Sequence, residues 1–171
     1  MANSAITSLK STLGMGARAN KYRVNIAGSG GVTGPFVDIL CKSTAIPGRA
    51  FHDIAVWNQG RLVNIAGDAD FSGTWSCTFM DDEAHTLRGA VIAWMEEIDS
   101  SASHSRGVGG HADYMKTATL DQLSTIDNSP TATYIFEDIW PKSISDSSLD
   151  DSNGDLIEFT VEFEYTEWVK A

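Results

Sequence analysis

Cysteine is nearly absent from this chain: 171 residues hold only Cys41 and Cys77. Two thiols cannot make a disulfide framework, and with no CxxC pair there is no zinc-finger spacing. Both lie in apolar stretches and read as inert buried thiols. Long apolar runs are missing as well. None approaches the ~18 residues that span a bilayer, and the N-terminus carries no secretory apolar core. The expectation is a soluble protein that folds inside the cell as one domain, because a chain of this length buries roughly two thirds of its unfolded surface without staples.

Catalytic motifs are equally scarce. Gly28-Ser29-Gly30-Gly31-Val32-Thr33-Gly34 is glycine-rich, but it misses the GxGxxG spacing and no GK[ST] follows, so it reads as a turn. There is no GxSxG elbow and no HExxH. His85 follows Asp81 at helical spacing, which suits a surface hydrogen bond better than a metal site. His104 and His111 fall in a loop-like stretch with nothing to pre-organise a ligand set, and His52 stands alone. Asp150 to Asp155 has a calcium-loop flavour without the twelve-residue spacing or the terminal Glu, and reads as another turn. An enzyme is therefore not expected, and neither is a cofactor or a metal.

Acid is missing from one end of the chain. The first 37 residues carry Lys10, Arg18, Lys21 and Arg23 and no Asp or Glu. Residues 1–90 hold 8 basic and 7 acidic side chains, whereas residues 91–171 hold 4 and 16. With a net charge of −11 and no basic stripe, specific nucleic-acid binding is not expected. The asymmetry suits either a solubilising face or head-to-tail assembly, in which a basic end meets an acidic end of the next copy.

Strand patterns dominate what is present. Residues 1–20 form a small, polar arm, with Ile6, Leu9 and Leu13 at helical spacing in search of a partner. Tyr22 to Ile26 alternates apolar and polar, and after the glycine turn Phe36 to Cys41 reads as a second strand, the two making a hairpin. A long irregular stretch follows, whose length marks it as functional or as holding strand of its own. It runs into Arg61 to Ile65. Asp70 to Met80 is a further strand, with Phe71, Gly73, Trp75, Cys77 and Phe79 on one side. One helix is clear: acids at Asp81-Asp82-Glu83, then Ala84, Leu87, Val91, Trp94, Met95 and Ile98 as an apolar stripe. Residues 100–111 have loop composition, and strands resume at about 114–123, 131–140 and 155–168. The last is the cleanest: Ile157, Phe159, Val161, Phe163 and Tyr165 point one way, while Glu158, Thr160, Glu162, Glu164 and Thr166 point the other. The pattern gives a mainly β fold, an antiparallel sandwich or barrel of about seven strands with one packed helix. Trp75, Trp94 and Trp168 belong to its core, and Trp57 is left as a contact residue for another chain.

Several stretches, in order, carry a resemblance. They are Asn20-Lys21-Tyr22-Arg23-Val24; Cys41-Lys42-Ser43-Thr44-Ala45-Ile46-Pro47-Gly48; Arg61 to Asp68; Trp75-Ser76-Cys77-Thr78-Phe79-Met80-Asp81-Asp82-Glu83-Ala84-His85; Ile139-Trp140-Pro141; and Leu149-Asp150-Asp151-Ser152-Asn153 leading into Glu158-Phe159-Thr160-Val161. Together the set resembles the tail-tube proteins of contractile-tailed bacteriophages, fold relatives of the type VI secretion tube protein. The resemblance covers most of residues 20–168. The leader before Asn20, the segment Arg49–Trp57 and the loop near 104–111 depart from the pattern.

The resemblance implies a virion structural protein, assembled in the host cytoplasm, whose strands join those of its neighbours into hexameric rings shaped as a barrel. The rings stack into a tube that conducts the genome during ejection. It divides the chain into an N-terminal arm, 1–20, and a tube domain, 21–171. The domain's long loop, about 43–61, would reach the adjoining ring through Ile46, Pro47, Phe51, Trp57 and Arg61. It implies as partners other copies of the chain, the tail sheath, the baseplate and tail-terminator proteins, and the tape-measure protein and DNA passing without specific binding, with no membrane. Two destinations suit the acids: the lumen for Glu158, Glu162 and Glu164, and the sheath-facing exterior for Glu96, Glu97 and Asp99. A baseplate tube initiator, the tube of a tail-like injection machine and, from another class, a ligand-binding β-sandwich module are the alternatives.

Overall fold

The computed structural model describes residues 2–28, 32, 35–103, 110–152 and 154–171. Its elements run α1 (Ala2–Leu13), β1 (Tyr22–Ala27), α2 (Pro35–Leu40), β2 (Cys41–Thr44), β3 (Ala50–Asn58), β4 (Arg61–Asp70), β5 (Gly73–Met80), α3 (Thr86–Ile98), α4 (His111–Tyr114), β6 (Lys116–Leu123), β7 (Pro130–Ile144), β8 (Glu158–Tyr165) and β9 (Glu167–Lys170). Most of the glycine-rich turn after Gly28, His104 and Asn153 lie outside the described residues.

Seven strands form one antiparallel sheet in the order β1-β6-β7-β8-β5-β2, with β9 beside β7, and β3 and β4 form a separate hairpin. The fold is mainly β, as the alternation indicates. The sheet turns a corner inside β7. There the register to β6 slips between Ala118–Phe136 and Lys116–Ile139, and Asp138 takes a positive φ of 56°. Such a bulge bends its strand and increases the local twist. Residues 134–137 consequently pair with β9, while residues 140–144 pair with β8.

The core lies between the folded halves of the sheet and α3. Phe159, Val161, Phe163 and Tyr165 of β8 alternate inward against Trp75, Cys77 and Phe79 of β5. Burying each large apolar side chain contributes roughly 1.5–3 kcal/mol. On α3 the expected stripe buries Leu87, Val91 and Trp94. The Trp94 ring lies 6.1 Å from Phe163 and its indole N–H donates to the Tyr114 carbonyl at 2.9 Å. Asp82 caps the helix, accepting from the Thr86 amide at 2.7 Å and the Thr86 hydroxyl at 2.6 Å. Those hydrogen bonds hold its carboxyl below the usual range.

Two expectations change. Phe36–Cys41 is not a strand: Pro35–Leu40 is helical, and only Cys41–Thr44 extends. Val37, Leu40 and Cys41 meet the core while Ile39 is exposed, a spacing of three and four, and proline is compatible with a helix's first turn. Nor do β1 and β2 form a hairpin. β1 pairs with β6 and β2 with β5, while α2 turns the Asp38 carboxylate onto the Val24 amide at 3.1 Å. The long stretch after residue 49 holds strand of its own, as its length suggested. Gln59 and Gly60 both take positive φ, 48° and 78°, making the tight turn that joins β3 to β4.

Candidate functional site: open strand edges, a projecting hairpin and a polar sheet face

β7 (residues 140–144), β8, β5 and β2 form a four-stranded stretch of sheet with two outer edges. β2 pairs only with β5, and the β6 ladder stops at Ile139, so residues 140–144 pair only with β8. Each edge strand carries a register shift with a lysine in it, Lys42 between Cys41 and Ser43 and Lys142 between Pro141 and Ser143. Lysine, proline and bulges are the devices by which proteins protect exposed edges from indiscriminate pairing.

One face of this stretch is core. The other is polar, with Thr74, Ser76 and Thr78 on β5 opposite Glu164, Glu162 and Thr160 on β8. Lys142 Nζ sits 2.7 Å from Glu164, which raises the lysine's pKa, and Thr74 donates to the same carboxylate at 3.4 Å. Ser143 donates to Glu162 at 2.9 Å, and Lys42 pairs with Glu158. The three carboxylates expected from the sequence therefore share one face with two ammonium groups that local sequence did not associate with them. The pairs are part-exposed, so they add little to stability; they leave the face hydrophilic and close to neutral.

The hairpin projects with every β3 residue exposed, including Phe51 at 63% and Trp57 at 71%. Ile54 pairs with Ile65 and Val56 with Val63, placing four β-branched side chains on one side. Two indoles hold its root: Trp75 donates to the Ala45 carbonyl and Trp168 to the Gly48 carbonyl, each at 3.1 Å. Arg49 lies over the Phe71 and Trp168 rings. Of the five residues expected there, Ile46 and Pro47 line a groove at the root with Tyr134 and Trp168, Phe51 stands near the base of β3, and Trp57 and Arg61 flank the tip. Trp168, expected in the core, is half-buried.

Glu96, Glu97 and Asp99 cluster at the C-terminal end of α3. Acids there oppose the helix dipole, so helix stability does not account for them. Glu96 accepts from the Ser101 hydroxyl at 2.7 Å and the Ser101 amide at 2.9 Å, which lowers its pKa. Glu96 and Asp99 border a groove of about 430 Å³ with Ile92, Met95, Ile98 and residues 140–142 of β7. Trp94 meets Phe163 on the core side of β8, so α3 and the polar face occupy opposite sides of the sheet.

The remaining candidates are structural. Cys41 and Cys77 are buried free thiols; Cys41 Sγ donates to the Ser43 carbonyl at 3.7 Å, Cys77 Sγ meets the Thr44 hydroxyl at 3.3 Å, burial pushes Cys77 up and the neighbouring Cys77 thiol lowers Cys41. His85 Nδ1 meets Asp81 at 2.6 Å, the surface hydrogen bond expected, and His111 Nδ1 meets the Tyr114 hydroxyl at 2.8 Å. Among the described residues no three His, Cys, Asp or Glu side chains gather as a metal requires, and no helix is long and apolar enough to cross a membrane.

A mainly β unit whose β2 and β7 borders are open and whose apolar hairpin is exposed has the surfaces of an assembly protein. The phage tail tube protein family model matches residues 12–171, and the chain belongs to that family as a structural subunit of the phage tail tube. It is 30% identical over 153 residues to Tail tube protein gp19 of Enterobacteria phage T4, covering 89% of this chain and 90% of that protein, and equally so to gp19 of phage T6. Solved structures share the fold, two of them over nine tenths or more of this chain. One is a chain of the PVC sheath-tube complex of an extracellular contractile injection system in its extended state (TM-score 0.66, 13% identity, 96% of this chain and 97% of that one). The other is a chain of the anti-feeding prophage baseplate (TM-score 0.67, 15% identity, 91% and 95%).

Proposed function

We propose that this protein acts by assembly alone, without catalysis. Copies join edge to edge into rings, six per ring by family resemblance, and the rings stack into a tube that conducts the genome. One observation carries the reading. The four strands from β7 to β2 alternate in direction, so the two open edges run antiparallel to each other. A copy rotated about a ring axis brings its β7 edge beside the first copy's β2 with the direction an antiparallel ladder needs, and closure removes both edges. Six copies give about 24 strands. At a spacing of ~4.8 Å and a tilt of ~40°, the wall is roughly 50 Å across between backbones, leaving a water-filled bore after side chains are allowed for.

The polar face with Glu158, Glu162 and Glu164 lines that bore. Duplex DNA carries one charge per ~1.7 Å, and a near-neutral, hydroxyl-rich wall neither binds it nor repels it beyond the ~8 Å screening length. DNA and the tape-measure protein pass without specific contacts. α3 then faces outward, offering Glu96, Glu97 and Asp99 to the sheath. Ile46, Pro47, Phe51, Trp57 and Arg61 make the contact between rings, and baseplate and terminator proteins hold the tube's two ends. The arm, 1–20, and the domain, 21–171, act as separate units of one subunit built in the host cytoplasm.

Cryo-electron microscopy of tubes formed by the purified protein, or taken from virions, tests this. The expected map has sixfold rings, with β2 paired to the next copy's β7 and the three glutamates in the bore. Rings joined through other strands, or a bore lined by α3, would overturn it.

A further inference from the structure

Among the described residues, two apolar surfaces stand exposed, and they match. On α1, Ile6 is 53% exposed, Leu9 61% and Leu13 63%, forming a single stripe. A twelve-residue helix alone in water is marginal, and so is a two-stranded hairpin. Each therefore needs something to pack on. The stripe from Ile6 to Leu13 advances about 10 Å along its axis, and the rows Ile54–Ile65 and Val56–Val63 lie about 7 Å apart on β3–β4. Charge favours the same union. Residues 2–21 carry Lys10, Arg18 and Lys21 with no acid, whereas residues 50–70 carry Asp53, Asp68 and Asp70 against Arg61.

We infer that α1 of one copy docks its Ile6–Leu9–Leu13 stripe on the β-branched face of the β3–β4 hairpin of another copy. The helix is then a strap that holds copies together independently of the sheet edges. This rests on the proposed tube assembly for its setting. It does not rest on the family match, which begins at residue 12. The β-branched face suits a helix: four short, stiff side chains make a shallow surface into which Leu9 and Leu13 settle, and Lys10 flanks the stripe towards the acidic hairpin.

Photocrosslinking from position 9 tests the docking. A benzophenone amino acid replaces Leu9 in a mixture of isotopically heavy and light protein, and the crosslinked peptides are identified by mass spectrometry after assembly. The expected product joins residue 9 of one isotope to residues 54–65 of the other. Val63→Asp, at an exposed position that leaves the core intact, should reduce it about tenfold or more, because the docked face would bury a charge. Links confined to one chain, links to another surface, or a yield unchanged by Val63→Asp would overturn the inference. If the unmodified protein forms no tube even when seeded with tube fragments from virions, the assembly reading fails, and the docking is decided on the same preparation by whether the probe still joins two copies at residues 54–65.

Discussion

Trp75 of β5 and Phe136 of β7 stack with ring centroids 4.4 Å apart and planes 19° from parallel, joining the two halves of the bent sheet across the core. Phe163 and Tyr165 close around the pair. Trp75→Ala leaves a large void at the point where the layers meet and should cost about 3–5 kcal/mol. Urea denaturation checks this, and the Trp75 indole's bond to Ala45 means that the hairpin's root should loosen as well.

Trp57 is the opposite case. It stands on an exposed strand away from the core, so Trp57→Asp should leave the fold's stability within ~0.5 kcal/mol. If the hairpin joins rings, the same change should abolish or shorten tubes, since buried aromatic anchors dominate interface energy. Thermal unfolding of the free subunit beside electron micrographs of assembled material separates the two effects.

Replacing Glu158, Glu162 and Glu164 by lysine turns a nearly neutral face strongly basic while leaving the core side of β8 untouched. Tubes should still form. DNA ejection should slow or stop, and more so at low salt, because a basic wall holds a polyanion. Ejection measured in vitro at two ionic strengths reads this; an unchanged rate would remove these residues from the bore.

The Tyr22 hydroxyl donates to the Cys41 carbonyl at 2.9 Å, and its pKa is pushed up to about 12, first by burial and then by Cys41. The unfolded phenol ionises near 10. Between those values the folded state keeps a proton that the unfolded state has lost, so stability falls as pH rises. The contribution is fully present below pH ~10 and is lost as pH climbs through about 12. Tyr22→Phe should cost about 1 kcal/mol at neutral pH, and the gap to the parent should close across that window in pH-dependent urea melts.

Local pattern revealed β8 and α3 because each repeats its period over several turns or residue pairs. The core face of β5 was legible for the same reason. The helix α2 was not, since a six-residue apolar run fits a strand or a helix until Val37 and Leu40 find the core together. The partner of β1 lies about a hundred residues away in β6, and nothing local specifies it. The same limit hid the ion pairs. Lys42 and Lys142 meet Glu158 and Glu164 only because β2 and β7 arrive beside the acidic face of the β5–β8 pair through long-range pairing. For the hairpin, the length of the stretch already allowed strand of its own, and the alternating Ile54, Val56, Val63 and Ile65 around Gln59-Gly60 were a usable signal of where it lies.

Lys42 and Lys142, each set into an irregularity at an open border, have a consequence for timing. Borders that resist casual pairing make the first ring slow to form, while a ring already in place presents each arriving molecule with the register it needs. Growth should then show a lag that a preformed seed abolishes. Molecules could accumulate in the cell without polymerising, and the length of the finished conduit would be governed by where it is started and stopped, not by how much subunit is made.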